Sequence, residues 1–342
     1  MRDFAGFKRG VNLGGWFSQC DYSKERLDGF IKEDDFSTIA SWGLDHVRLP
    51  IDYNILENDD GSSYLEEGFE RIQRAVDLCG KNSLNIILDL HKTAGYSFDT
   101  GEKQSGFFDD VNLQERFYRL WEEIARRFGN KDNIAFELLN EVTDKSFSDT
   151  WNRIATECIN RIRKISPKTY ILLGGYWNNS IDALPDLPLP QDDFVVYNFH
   201  CYEPFLFTHQ GASWLGEMGM RKDFRISFPT DSASYKKNMD EMFGGAFGSL
   251  KDMDGKIDVR IFEILFERAV RLAEERKVPL YCGEYGVINL ASPEDTVKWF
   301  EAIHSVFEKY KIGRAAWTYR EMDFGLSDEH LKSVLAKIIP QL

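Results

Sequence analysis

The run Ile134-Ala135-Phe136-Glu137-Leu138-Leu139-Asn140-Glu141 is a short apolar segment that carries acids and ends on Asn-Glu. A run of this length between polar neighbours reads as a buried strand. A buried carboxylate without a partner is strongly disfavoured, so each acid needs an explanation. Two readings stay open for this stretch alone. Glu137 and Glu141 close ion pairs with arginines in a barrel core, or the strand end delivers a carboxamide and a carboxylate to a site.

Outward from this run, strand-like and helix-like segments alternate. Strands read at residues 11–16, 46–50, 85–91, 134–141, 170–175, 194–200, 279–286 and 314–319. Helical spacing reads at 23–41, 64–81, 113–128, 151–165, 261–276, 293–310 and 331–339. Eight strands alternating with helices predict an α/β fold, a (β/α)8 TIM barrel, with residues 1–342 as one catalytic domain. The strands are apolar runs, as expected where both faces are covered. A doubly wound sheet is disfavoured because no G-x-G-x-x-G loop follows an early strand. Residues 202–260 break the rhythm, being too long for a plain βα loop. They hold Trp214, a helical stretch at 234–243 and Gly244-Gly245, and predict a subdomain inserted between strand 6 and helix 6 near the cleft. An oligomer contact is the alternative for this segment.

The net charge of −14 argues against a nucleic-acid partner and against anionic membrane surfaces. The five cysteines, Cys20, Cys79, Cys158, Cys201 and Cys282, are scattered without CxxC spacing, so neither a zinc site nor a disulfide framework is expected. Residues 1–10 are polar and no apolar leader follows, and no run approaches a membrane span. The expectation is a monomer that is cytoplasmic, or secreted with a leader absent from this chain.

In such barrels the C-terminal strand ends hold the chemistry. The second strand delivers Arg48, the third His91, the fourth Asn140 and Glu141, the sixth His200 and then Tyr202, the seventh Glu284 and the eighth Trp317. Two carboxyl groups facing each other across a barrel mouth suit glycosidic bond cleavage. One protonates the leaving oxygen while the other attacks the anomeric carbon or activates water. Asn140 is placed to read a sugar hydroxyl, Arg48 and Tyr202 to keep Glu284 ionised, and His91 and His200 to orient hydroxyls or the acid. Trp317 is a flat surface for a sugar ring. Taken singly, each has a plain alternative: Arg48 pairs in the core, a lone histidine is a satisfied core residue, Trp317 is packing. A metal site from His91, His200, Glu141 and Glu284 is the runner-up, weakened by the lack of H-x-H on the first strand. No metal and no cofactor are expected.

Together, Arg48, His91, Asn140-Glu141, His200-x-Tyr202, Glu284 and Trp317 resemble family 5 of the glycoside hydrolases, in order over nearly the whole chain. Asn12-Leu13-Gly14-Gly15-Trp16, His46-Val47-Arg48-Leu49-Pro50 and Gly283-Glu284-Tyr285-Gly286 reinforce the resemblance. The chain is similar to a bacterial endoglucanase type with an insertion after the sixth strand. The resemblance implies a retaining β-glycosidase, with Glu141 as acid/base and Glu284 as nucleophile. It implies β-1,4-glucan as substrate, with mixed-linkage β-1,3-1,4-glucan accepted. A β-mannanase is the near alternative and a non-catalytic sugar-binding barrel the remote one. Many members read Asn-Glu-Pro where this chain has Val142, which alters the loop after the acid and not the acid. Trp16, Trp177 and Trp214 are candidates for more distant sugar platforms.

Overall fold

The computed structural model describes residues 1–99, 102, 104–245, 250 and 253–342. Parts of the 202–260 segment and of the loop before residue 110 thus lie outside the described residues. Eight strands close into a parallel barrel in the order β1-β10-β9-β6-β5-β4-β3-β2. They are β1 (Arg9–Asn12), β2 (His46–Asp52), β3 (Asn85–Lys92), β4 (Ile134–Glu137), β5 (Tyr170–Leu173), β6 (Val195–Cys201), β9 (Leu280–Tyr285) and β10 (Gly313–Ala316). The helices Glu66–Lys81, Val111–Phe128, Ser148–Ile165, Arg260–Glu275 and Pro293–Tyr310 turn their apolar faces onto the barrel, burying Phe69, Trp121, Trp151, Phe266 and Trp299. Among the described residues no helix is long and apolar enough to cross a membrane.

Several boundaries differ from the sequence reading: β4 ends at Glu137 and not at 141, β10 at Ala316 and not at 319, and the closing helix read at 331–339 is only Leu335–Ile338 between single turns. The first strand ends at Asn12, and Gly15 beyond it takes φ 72°, which ends the extended run. The helical stretch at 23–41 is two helices, Lys24–Gly29 and Glu33–Ser41. Asp35 caps the second by accepting a hydrogen bond from the Lys32 amide at 2.8 Å, so the chain restarts there. Among the described residues between β6 and the helix Arg260–Glu275 are the short turns Phe205–Thr208 and Ser213–Met218, the helix Ser232–Phe243 and a two-stranded antiparallel ribbon of β7 (Thr230–Asp231) and β8 (Lys256–Ile257).

The barrel interior is layered, because side chains two apart on a strand share a face. Its lower layer is apolar: Ile87, Ala135, Leu172, Val196, Tyr281 and Ala315 pack together with Phe4 and Phe7. Two residues further along the strands come Asp89, Glu137, Asn198 and Gly283. The sequence reading took the strand middles as apolar. That holds for the faces turned to the helices, whereas the upper interior is charged.

Candidate active site

The register of the strands brings the candidate side chains together. Asn12 pairs with Arg48, Asp89 with Glu137, and His200 with Glu284 after an irregularity at Phe199/His200. Arg48 is the hub. Its Nε donates to Glu137 Oε2 at 2.7 Å and Nη2 to Glu137 Oε1 at 2.8 Å, a two-pronged pair. Nη1 donates to Glu284 Oε1 at 2.9 Å and to Asn12 Oδ1 at 2.8 Å. Nη2 also donates to Asn140 Oδ1 at 2.8 Å and lies 3.0 Å from Asp89 Oδ2. Both readings left open for Glu137 and Glu141 are therefore resolved separately. Glu137 is the core ion pair, completed by Asn198 Nδ2 at 2.8 Å. Glu141 stands above it, beyond the end of β4, at the mouth.

Glu284 also accepts from the Tyr202 hydroxyl at 2.9 Å. Burial pushes its carboxyl above the ordinary range, while His200 and the Arg48 guanidinium pull it back. Glu141 has different company. Its Oε1 lies 2.8 Å from His200 Nδ1, and its Oε2 accepts from Asn178 Nδ2 at 2.8 Å. Burial pushes it up as well, with Asn178 first among the opposing causes. Burial drives His200 and His91 down to about 4, so both are neutral at pH 7. The direct partners of Glu141 are thus uncharged, whereas Glu284 touches a fixed positive charge. This asymmetry favours the proton on Glu141 and the negative charge on Glu284. Oxygens of Glu141 and Glu284 and a nitrogen of His200 all lie within 4.8 Å of one another. These three are the donors that could hold a cation, and a dication there would sit beside the Arg48 guanidinium, which opposes it.

His91 Nδ1 lies 2.5 Å from Asp89 Oδ2, and its ring lies parallel to that of Trp317, with centroids 5.8 Å apart. With Asn140 Oδ1 taken by Arg48, the amide's Nδ2 end remains to serve a ligand. All eight strand-end residues therefore gather at one mouth. Trp214 and Trp177 are 45% and 51% exposed, as platforms require. Trp16 is a correction. It is 5% exposed, stacks on Phe17 with centroids 4.0 Å apart, and its Nε1 donates to Leu27 O at 2.9 Å. The stacked face and the polar edge are committed to the core, and too little of the ring is exposed to carry a sugar.

The sequence reading passed over Asp89, Asn12, Asn198, Asn178 and Asn179. Asp89 falls inside the strand read at 85–91, two residues before His91. Asn178 and Asn179 follow strand five, where paired asparagines signal a left-handed turn. Two glycines make room for this network. A Cβ on Gly283 would meet Asn198 Oδ1 at 2.7 Å, and one on Gly174 would meet Asn179 Oδ1 at 2.1 Å.

Residues 7–323 match the family model described as cellulase (glycosyl hydrolase family 5). The chain belongs to this family. It is 53% identical over 310 residues to Cellodextrinase A of Ruminococcus flavefaciens, covering 90% of this chain and 84% of that protein. It is 41% identical over 340 residues to Endoglucanase C of Acetivibrio thermocellus, covering 97% of each. Among solved structures, Thermotoga maritima Cel5A in complex with mannotriose matches with 25% identity and a TM-score of 0.74, covering 98% of this chain and 97% of that one. In this family 5 cellulase the buried charges Arg48, Asp89 and Glu137 lie beneath Glu141 and Glu284 at the mouth.

Proposed function

We propose that this chain is a retaining endo-β-glucanase that hydrolyses β-1,4-glucans, and mixed-linkage β-1,3-1,4-glucans, by double displacement. The carrying observation is the approach of Glu141 and Glu284 oxygens to within 4.8 Å. Carboxyl groups about 5–5.5 Å apart leave no room for a water and suit direct attack on the sugar. In the first step Glu284 attacks the anomeric carbon while Glu141 protonates the departing glycosidic oxygen. In the second, Glu141 takes a proton from water as its oxygen bonds to that carbon and Glu284 is released. Asn140 offers its amide N–H to a sugar hydroxyl, Arg48 and Tyr202 hold Glu284 in its charged form, and Trp317 flanks the ring.

Reducing-sugar release from carboxymethyl cellulose, barley β-glucan and mannan tests the reading. Release from the two glucans is expected, and no release from any of the three sinks it. Glu284→Gly should lose turnover and regain it with azide, giving the glycosyl azide of inverted configuration. Glu141→Ala should give the retained azide, and the opposite pattern exchanges the two roles. A β-mannanase is the second reading, favoured by the likeness to a barrel solved with mannotriose. Release from mannan exceeding that from β-glucan would select it.

The segment 202–260 is proposed as an inserted subdomain walling the cleft. Tyr202 at its start touches Glu284, and its Trp214 ring stands 6.5 Å from that of Phe324 and 6.3 Å from that of His209. Trp214→Ala should raise KM for polysaccharide several-fold more than for an aryl cellobioside. Equal effects on both would assign the segment to an interface or a passive role. A single sedimenting species at the mass of one chain would agree with the monomer expected.

A further inference from the structure

The turn after β5 holds three consecutive non-glycine residues in the left-handed region: Trp177 at φ 50°, Asn178 at φ 57° and Asn179 at φ 56°. One such residue is uncommon, and a bulky one in that conformation is an outlier that its surroundings must hold in place. What the turn presents is specific. Trp177 points an exposed ring outward, meeting Tyr176 edge-on with centroids 5.0 Å apart. Asn178 donates its side-chain amide to Glu141 Oε2, and its backbone N–H binds Val142 O at 3.0 Å. Asn179 is buried, and its Nδ2 lies 3.3 Å from His200 Nε2. His200 in turn reaches Glu141 Oε1. One short turn thus grips both oxygens of the same carboxyl, directly through Asn178 and indirectly through Asn179 and His200.

This grip suits one of the two states that the reaction needs. If Asn179 donates to His200 Nε2, the neutral ring carries its proton on Nδ1 and donates to Oε1. Both oxygens of Glu141 then accept hydrogen bonds, an arrangement that favours the carboxylate and hence the base. To act as an acid, Glu141 must carry its proton on an oxygen open to the glycosidic oxygen. Oε1 is held by a buried histidine. Oε2 is held by Asn178, which is exposed and can leave.

We propose that Asn178 is a positioning residue for Glu141, and that sugar binding against Trp177 moves it off Oε2, so that one turn switches the acid and base forms. The proposal rests on the reading of Glu141 as acid/base and goes beyond it. Trp177 is the chain neighbour of Asn178, which holds Glu141 Oε2, so a sugar stacked on its exposed ring lies beside the acid, as the leaving sugar must. With the leaving sugar in place, Oε2–H gives its proton to the glycosidic oxygen while the C1–O bond breaks and the Glu284–C1 bond forms. When that sugar departs, Asn178 returns to Oε2. Glu141 then takes a proton from water, whose oxygen bonds to C1 while the Glu284–C1 bond breaks.

Other groups face Glu141 and set its baseline: Arg48 from β2, Asp89 and His91 from β3, Tyr96 and Asp99 beyond it, His200 from β6, Tyr202 and Glu284. Asn178→Ala leaves all eight in place, so a change in that variant belongs to Asn178. The test is a carbon-13 NMR titration of the Glu141 carboxyl in the full chain, assigned with Glu141→Gln. It needs no turnover, so failure of the proposal is distinct from failure of the hydrolase reading. Asn178→Ala should raise the Glu141 midpoint by about one pH unit, as expected for losing a hydrogen bond to a charged group. In a Glu284→Gln background, cellotetraose should raise the midpoint with Asn178 present, and raise it distinctly less in the variant lacking it. The basic limb of kcat/KM should move up with the midpoint. An unmoved midpoint in Asn178→Ala overturns the proposal, as does an equal response to cellotetraose in both backgrounds. A loss of rate at every pH with unmoved limbs would make Asn178 a purely structural residue.

Discussion

Arg161 and Arg48 each hold several carboxylates at similar distances. Arg161, on the helix Ser148–Ile165, meets Glu115 through both terminal nitrogens at 2.8 Å and Glu157 through Nε at 2.8 Å, with its side chain 23% exposed. Arg48 meets Glu137, Glu284 and Asp89 at 2.7–3.0 Å with no exposure at all. Water screens the first cluster and replaces its partners if they are lost. Nothing replaces the partners of the second, where one guanidinium faces three carboxyls in a dry interior. The same contacts therefore do different work. On the helix they decorate the surface, whereas in the barrel they set which carboxyl holds a proton.

The largest expected difference is in stability. Arg48→Ala should cost about 3–5 kcal/mol in urea unfolding, because it leaves carboxyls buried beside no cation. A loss no greater than that of Arg161→Ala would break the contrast. Next is a difference of sign with pH. Burial pushes Asp89 up to about 7, above its ordinary 3.8. A raised carboxyl favours the fold fully below the unfolded value, and that favour is lost as pH rises through the folded one. Asp89→Asn should therefore gain on the wild type as pH climbs from about 4 to about 7. Urea midpoints that run parallel over this window would refute it. Glu115 is held low by its hydrogen bond to Arg161. Its contribution is present above the ordinary Glu value and lost as pH falls through the lowered one. Glu115→Gln should thus lose on the wild type as pH rises, a weak slope opposite in sign to that of Asp89→Asn. The smallest effect is Arg161→Ala itself, expected within about 1 kcal/mol and shrinking further in salt.

These two clusters also mark what was legible in the sequence. The eight strands could be read because covered strands are apolar runs between turns. The strand-end set could be read because Arg48, His91, Glu141, His200 and Glu284 punctuate those runs. Glu137 and Glu141 could not be told apart on the run alone, and it is the contact with Arg48 that makes Glu137 the core pair. What escaped depends on details that periodicity does not carry. Trp16 and Trp177 are the same residue type beside a strand, and only tertiary packing buries one and leaves the other half exposed. The left-handed turn at 177–179 has no apolar pattern, and its two asparagines were the sole local signal. Asp89 was visible as a residue, but its partner Arg48 sits on another strand two residues out of register, so only the folded barrel joins them.

The Arg48 cluster draws on residues from Asn12 to Glu284, with Arg48, Asp89, Glu137 and Asn140 between them. Its hydrogen bonds are complete only when β9 has docked beside β6 and brought Glu284 to Arg48, late in any order of assembly that follows the chain. Before that, Arg48 faces Asp89 and Glu137 while its Nη1 lacks Glu284. Contacts of such long sequence separation form slowly, because loop closure must precede them. The ring itself closes when β10, with Trp317 at its end, enters between β9 and β1, and the return of activity after dilution from urea reports the moment at which that last seam shuts.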